Sequence, residues 1–533
     1  MGDLMGRAVG SARAFGKVLI ANRGEIACRI IRACKEMELE TVAIFANNDS
    51  NSLFVEMADL AVELPGEGLG ETYLNGPAII EAAILSGAQA IHPGFGFLSE
   101  RADFAKAVVQ SGLVWVGPPP EAIESMGDKM TARVMMRAAG VPVIPGEELE
   151  GLSELEDAEL RQQLEAAAER VGYPLLLKAS AGGGGKGMRA VEQPSELHDA
   201  WNAASREALA AFGDGRVYVE RLLTGSRHVE IQVLADIHGN TIHLGERECS
   251  IQRRHQKVLE ESPSTAVSEL LRKNMGQAAV AAAQAVEYVG AGTVEFLLAD
   301  SGEFFFLEMN TRIQVEHPIT EMVTGVDLVQ QQLRVAMGKR LPLTQDMMAM
   351  NGHAIEIRLY AEDPASGFLP AIGPLAVFRP PEGVGDVDSG IRLDTGVRQG
   401  DAVTPDYDPM VAKLITYAES RPAAIEKMKS AIGDFIVLGC QTNLGFLGDL
   451  LTHPAFIDGA TPTNFIETHW PNGWSPTQDE AELLTLAGVA AAAEAYGMNT
   501  ITIRGDHAGQ SDDEETMRGD VHNPFVRISR RFP

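Results

Sequence analysis

Residues 293–317 constrain this chain more than any other stretch. Thr293-Val-Glu-Phe-Leu-Leu298 and Glu303-Phe-Phe-Phe-Leu-Glu308 are runs rich in aliphatic and aromatic residues, separated by the turn signal Asp300-Ser-Gly302. The pattern predicts a hairpin that sets Glu295 beside Glu308, with Asn310 close behind. Two carboxylates and an amide oxygen are hard ligands, suited to Mg²⁺ or Mn²⁺ that also binds nucleotide phosphates. Beyond the hairpin, Arg312, Gln314 and Glu316 occupy alternate positions. In an extended chain they share a face and place a cation, an amide and a carboxylate around one small space. An arginine fork suits a planar oxyanion, and a carboxylate beside it can act as a base. A polar hairpin edge tied by ion pairs is the plainer explanation. So many polar groups set in apolar strands favour a functional site.

Other stretches show the same mixture. Residues 227–233 alternate as a strand does and put His228 on one side with Glu230 and Gln232. The run from Glu246 to Lys257 gathers Arg247, Arg253, Arg254, His255 and Lys257 in a chain whose net charge is −30. That acidity argues against nucleic acid and anionic membranes as partners, so the basic run reads as a local pocket for small anions. Arg254 is left open between site and structure. Tyr173 to Lys178 reads as a strand, and Gly182, Gly183, Gly184 and Gly185 follow shortly after. Consecutive glycines let backbone amides approach phosphates. The spacing is not that of a Walker loop, because Gly187 rather than Ser or Thr follows Lys186. Between two apolar strands, the loop reads better as a mobile lid over ATP than as a plain linker. His92 to Glu100 is also Gly-rich, but Ser99 stands where a dinucleotide fingerprint needs its third glycine.

A length of 533 residues allows several domains with their own cores. After a flexible start over 1–14, the strand Lys17–Ala21, a helix from Ile26 to Met37 and the strand Thr41–Phe45 predict a doubly wound domain over 15–116. Prolines at 118–120, 142 and 145 mark 117–149 as a linker around one helix that bears Lys129. A small α/β lid is expected over 150–222 and a large domain over 223–350. A C-terminal domain follows over 351–470, in which Gly352–Asp363 alternates as a strand. Residues 471–533 form an extension of unknown role, a docking segment or a loosely ordered tail, with a helix over Glu480–Tyr496 and a short strand over Asn499–Arg504. Cys28, Cys34, Cys249 and Cys440 lack metal-ligand spacing and read as reduced thiols. No apolar run has membrane-spanning length, and the first residues lack the core of a secretory signal, so a cytoplasmic protein is expected.

Glu308-Met-Asn-Thr-Arg-Ile-Gln-Val-Glu-His-Pro318, Asn22-Arg-Gly-Glu25, His92-Pro-Gly-Phe-Gly-Phe-Leu-Ser-Glu100 and Tyr407-Asp-Pro-Met-Val-Ala-Lys-Leu414 resemble motifs of the biotin carboxylases, within the ATP-grasp superfamily. The resemblance runs from about Lys17 to about residue 470. It implies an α/β fold with an N-terminal doubly wound (pre-ATP-grasp) domain, an ATP-grasp lid and large domain, and a biotin carboxylase C-terminal domain. It implies ATP- and bicarbonate-dependent carboxylation of biotin on a separate biotin carboxyl carrier protein, through carboxyphosphate. That is the first half-reaction of an acyl-CoA carboxylase of acetyl-CoA or propionyl-CoA type, with a carboxyltransferase subunit as a further partner and a homodimer or larger assembly.

The resemblance also implies roles. ATP falls to Lys129, Lys178, the lid glycines Gly183, Gly184 and Gly185, Glu220, Leu222, His228, Gln252 and His255. Bicarbonate falls to Lys257, Arg312, Gln314 and the Val315 backbone, the metal to Glu295, Glu308 and Asn310. Glu316 is the expected base, and Arg358 the arginine that steadies the enolate form of biotin. Ala181, Lys186 and Arg221 depart mildly from the family pattern. Arg29, Arg32 and Glu36 on the first helix form either a homodimer contact or a solvated face. Glu426-Lys-Met-Lys-Ser430 lies in a helix and lacks the pattern of a biotinylation site. Two other functions compete: another ATP-grasp ligase, against which Glu316 and Arg358 weigh, and an idle regulatory subunit, which the presence of every required residue does not support.

Overall fold

Short buried strands and the turns after them build the N-terminal unit of the computed structural model, which describes residues 14–148, 157–179, 188–254 and 256–477. β1 (Lys17–Ile20), β2 (Glu40–Phe45), β3 (Leu60–Glu63), β4 (Ala90–His92) and β5 (Val114–Trp115) form a parallel sheet in the order β3-β2-β1-β4-β5. The order reverses between β1 and β4, and such a switch point opens a crevice at the strands' carboxyl ends. There the Asn22 amide donates to the carbonyls of Pro93 and Phe95, both at 2.7 Å, tying the two expected motifs together.

Helix α1 (Gly24–Glu36) buries Ile26, Ala27, Ile30 and Ile31 against this sheet. Its polar side corrects the sequence reading. Arg29 is buried and pairs with Glu321 at 2.9 Å and Asp327 at 2.8 Å. Arg32 reaches Asp394 at 3.0 Å, and Glu36 accepts from Gln330 at 2.8 Å. Arg29 is therefore not a solvated side chain, and the other two also have partners within the chain. Those partners lie hundreds of residues away, out of reach of any local pattern.

The expected linker with one helix holds two, Pro120–Gly127 and Lys129–Ala138. Asp128 separates them and caps the second by accepting from the Thr131 amide at 2.7 Å. Lys129 thus opens a helix instead of lying within one. The lid sheet comprises β6 (Gly146–Glu148), β7 (Leu175–Ala179), β8 (Met188–Val191) and β9 (Val217–Arg221), antiparallel in the order β6-β9-β7-β8. Leu164, Leu175, Leu177, Trp201 and Val219 fill the core under its helices. The lid glycines, His255 and the elements expected beyond residue 477 lie outside the described residues.

The large sheet carries the site. β10 (Arg227–Ala235), β11 (Thr241–Arg253), β12 (Gln256–Ser262), β13 (Gly290–Leu298), β14 (Phe304–Asn310) and β15 (His353–Tyr360) are joined by the strands Ile391–Thr395 and Met410–Ala418. The order is β14-β13-β10-β11-β12-β15, then Met410–Ala418, then Ile391–Thr395, all antiparallel. One face packs through Val229, Ile231, Phe296 and Phe306 at one end and through Ile355, Ile357 and Leu414 at the other. The opposite face carries Glu230, Gln232, Arg247, Glu295 and Arg358, all buried, because the helix His317–Thr324 packs across it. β15 alternates as expected, yet its polar side is buried as well.

Burial alone would raise the Glu321 carboxyl, but Arg29 and Arg392 hold it down to about 2. Arg29→Ala leaves this buried carboxylate short of a partner and is expected to lower stability by about 3 kcal/mol at neutral pH. A depressed acid contributes stability above its unfolded pKa and loses it as pH falls, so the penalty shrinks on acidification. Thermal melts of both proteins at several pH values check this.

Candidate active site

The hairpin forms as the sequence predicts, and Glu295 of β13 stands directly opposite Glu308 of β14. Glu295 is crowded with donors. His228 Nε2 lies 2.9 Å from its Oε2, while Lys257 Nζ at 3.0 Å, Asn310 Nδ2 at 2.8 Å and Gln314 Nε2 at 3.0 Å donate to its Oε1. Burial would raise this carboxyl, yet Lys257 and His228 hold it well below the ordinary range. His228 responds in kind: burial disfavours its charge, but Glu295 raises its pKa on balance. Glu308 differs. No described residue donates a hydrogen bond to its carboxylate, and burial and the Glu295 charge push its pKa up. An underserved carboxylate facing another is the arrangement a divalent cation satisfies, so these two residues fit Mg²⁺. Asn310 turns its amide nitrogen to Glu295 and its oxygen to Arg312 Nη2 at 3.2 Å, so joining as a ligand requires its amide to turn.

Lys257 is the centre of the arrangement. Its ammonium donates to Glu230 Oε2 at 2.6 Å, Glu295 Oε1 at 3.0 Å and Glu316 Oε1 at 2.6 Å. Burial works against a charged lysine, and the three carboxylates nonetheless hold it well above its usual pKa. A bulge helps to aim it. Ile251 pairs with Leu259 and Gln252 with Lys257, leaving Val258 unmatched. The extra residue brings Lys257 onto the same face as Glu260, three positions on, which strict alternation would forbid. Behind Lys257, the fully buried Arg247 donates to Glu230 at 2.5 Å and to Gln232 at 2.7 Å.

Glu316 has no exposed surface and is gripped from two sides, by Lys257 and by Arg358 Nη2 at 3.0 Å. Burial alone would raise it, but Lys257, Arg358 and Arg247 hold it well below the carboxylate range. Arg312, Gln314 and Glu316 do converge, though not by strand alternation. Residues 311–316 bend at 311–312 and turn at 315–316, where the Gln314 carbonyl accepts from the His317 amide at 3.3 Å. Arg312 spreads its fork to Glu100 at 3.0 Å, Gln314 at 3.0 Å and Asn310. The Val315 carbonyl accepts from the buried Lys413 Nζ at 2.7 Å.

On the nucleotide side, Lys129, Arg133, Lys178, Tyr218, Glu220 and Glu308 line one cleft between the lid sheet and the hairpin. Glu220 is buried and paired with Lys178 at 2.8 Å and with Arg133. Leu222 follows β9, and its amide donates to the Pro174 carbonyl at 2.9 Å. Gln252 pairs with Lys257 across β11 and β12, and Arg254 takes the turn between them with φ +50°, exposed. Glu100, Glu260 and Lys413 belong to the network without having been singled out for it. Glu100 sits in the recognised His92–Glu100 motif and Lys413 in the Tyr407–Leu414 motif, so both had a signal; Glu260 had none.

Three family models match the chain in series: "Biotin carboxylase, N-terminal domain" over 14–123, "Carbamoyl-phosphate synthase L chain, ATP binding domain" over 128–344, and "Biotin carboxylase C-terminal domain" over 356–468. A biotin carboxylase of Nostoc sp. is 51% identical over 85% of this chain and 99% of its own length. The mitochondrial methylcrotonoyl-CoA carboxylase subunit alpha of Dictyostelium discoideum is also 51% identical over 85% of this chain, which spans only 63% of that relative. Among solved structures, the biotin carboxylase domain dimer of Hydrogenobacter thermophilus 2-oxoglutarate carboxylase, in complex with MgADP, ADP and bicarbonate, superposes with a TM-score of 0.79 at 44% identity, covering 86% of this chain and 98% of that one. The chain belongs to the biotin carboxylase family, an ATP-grasp architecture flanked by N- and C-terminal domains.

Replacing Lys257 by Met strips three buried carboxylates of a shared counterion. A loss of about 3–5 kcal/mol is expected, measured by urea denaturation, and a fold stabilised to the same extent without the ammonium would contradict its central place.

Proposed function

We propose that this chain is a biotin carboxylase that uses ATP and bicarbonate to carboxylate biotin on a carrier protein, as the first half-reaction of an acyl-CoA carboxylase. The observation that carries this reading is the meeting of Lys257 and Arg358 on Glu316, with Arg312 near enough to feel its charge, next to the opposed pair Glu295 and Glu308. The bicarbonate and MgADP found with the Hydrogenobacter relative support it.

Bicarbonate is a poor electrophile, so its oxygen first attacks the γ-phosphoryl group of ATP to give carboxyphosphate and ADP. Mg²⁺ held by Glu295 and Glu308 would neutralise charge on the phosphoryl oxygens. Lys129, from the helix Lys129–Ala138, and Lys178, from the lid sheet, add positive charge to the same cleft. Lys257, Arg312, Gln314 and the Val315 backbone hold the planar anion. Glu316 takes the bicarbonate proton. The cations around it hold its carboxyl well below the ordinary range. An arriving anion shares those cations, and a carboxylate that loses positive neighbours becomes a stronger base. Carboxyphosphate then yields CO₂ and phosphate. That phosphate deprotonates the biotin ureido nitrogen, while Arg358 steadies the enolate form. The lid keeps water from the labile intermediate.

The biotin comes on a separate carrier protein or a carrier domain of another subunit, and a carboxyltransferase then passes the carboxyl group to the acyl-CoA. We take the acceptor to be of the acetyl-CoA or propionyl-CoA class, although relatives carry other acceptors in their names. We place the enzyme in the cytoplasm on its four free thiols, whereas the Dictyostelium relative is mitochondrial.

ADP release with Mg²⁺ and bicarbonate, with and without free biotin, tests the reading. Stimulation by biotin that requires bicarbonate is expected, and turnover indifferent to biotin points to another ATP-grasp ligase. Glu316→Gln should lower the biotin-dependent rate by a factor of about 10² or more while nucleotide binding, followed by calorimetry, survives.

A further inference from the structure

Two acids stand behind Arg358 with no part in the chemistry described so far. Glu260 in β12 and Glu356 in β15 are directly opposed, a register that holds Cβ atoms about 5 Å apart. Neither has exposed surface. Glu260 Oε1 takes Arg358 Nε at 2.7 Å and Nη2 at 2.6 Å. Its Oε2 and both oxygens of Glu356 have no hydrogen-bond partner among the described residues. Two carboxylates so placed repel each other in a dry space. One proton removes the repulsion and gives the orphaned oxygens a donor.

The surroundings allow this. Lys257 lies on the Glu260 strand and, through the bulge, on its face. Cys249 approaches from β11, Glu316 from the turn, and Lys413 from the strand beyond β15, opposite Arg358. Burial pushes Glu260 up to about 7 against the pull of Arg358, and pushes Glu356 well above the carboxylate range against the pull of Lys413.

We propose that Glu260 and Glu356 share one proton, and that Glu260, so relieved of repulsion, is the positioning residue that aims Arg358 at the carboxyl acceptor. The inference rests on the biotin carboxylase reading. Loss of the proton at high pH adds a second negative charge behind Arg358, draws the guanidinium back and weakens its hold on the acceptor. The carboxyl-transfer half of the reaction is then pH-sensitive in a way the bicarbonate half is not.

Glu260→Gln is expected to raise KM for free biotin about tenfold or more, while KM for bicarbonate moves less than about threefold; Glu260→Asp should recover part of the difference. In the wild type, kcat/KM for biotin falls above neutrality, and Glu356→Gln, which has no second carboxyl to ionise, abolishes that fall. A readout without turnover accompanies these. An acid whose pKa is raised by folding gives stability below its unfolded pKa and loses it as pH rises through the folded value. The Tm of Glu356→Gln should therefore gain on wild type as pH rises above the unfolded carboxyl range, from about pH 4.5 upward. A fall that persists in Glu356→Gln together with a constant Tm difference overturns the shared proton, and equal losses for biotin and bicarbonate in Glu260→Gln overturn the positioning role. A wild type without biotin-dependent turnover refutes the biotin carboxylase reading instead, and the Tm comparison still decides the shared proton.

Discussion

The ammonium of Lys257 holds three carboxylates from three different places: Glu230 on β10, Glu295 on β13 and Glu316 on the turn after β14. Each charge taken out of water costs several kcal/mol unless it is matched. The cluster can therefore exist only where four chain segments are fixed relative to one another, and the large sheet provides that fixing. Its neighbouring strands carry the acids at set heights, its bulge at Val258 aims the lysine, and the helix His317–Thr324 shuts out water. Arg247 and Arg358 extend the matching on either side. The polar face of the sheet is thus one connected charge lattice, and its arrangement is what allows a buried base beside buried cations.

The flanking domains enter through the same logic. Glu321 lies one turn beyond Glu316 in sequence, on the helix that covers the sheet, and it is held by Arg29 from α1 and Arg392 from the strand Ile391–Thr395. Lys413, without exposed surface, reaches the Val315 carbonyl while lying 3.3 Å from Glu25 at the start of α1. The turn that presents Glu316 is consequently clamped by an N-terminal helix and a C-terminal strand. A central ATP-grasp unit alone would lack both supports. This gives a physical reason for three domains to be built around one small site.

What the sequence disclosed and what it withheld differ by the range of the interactions involved. The hairpin was legible because the turn residues Asp300, Ser301 and Gly302 and the apolar runs beside them act locally, but the opposition of Glu295 to Glu308 also needs a bulge that leaves Leu307 unmatched. The side shared by His228, Glu230 and Gln232 was legible from period-two alternation alone. The fork of Arg312 was expected near Glu316, but a turn rather than an extended strand brings them together. Arg29 read as surface because helical periodicity does not reveal an acid 292 positions away. The second helix at Lys129 had a local signal, the Asp128 cap, that the surrounding prolines outweighed. The bulge at Val258 had none, since an inserted residue alters the alternation of Lys257 and Glu260 without altering composition.

The same charge lattice bears on when the site is active. Lys257 and Arg358 are both engaged by Glu316 and hold its carboxyl well below the ordinary range. Arg312 is likewise engaged by Glu100, Asn310 and Gln314. A bicarbonate ion that enters competes for these cations and shifts the protein carboxylates toward their ordinary basicity. In the proposed reaction, where Glu316 takes the bicarbonate proton, the base is therefore strengthened by the molecule that carries that proton. Selectivity for an anionic substrate then follows from electrostatics already present in the folded chain, before any lid closes.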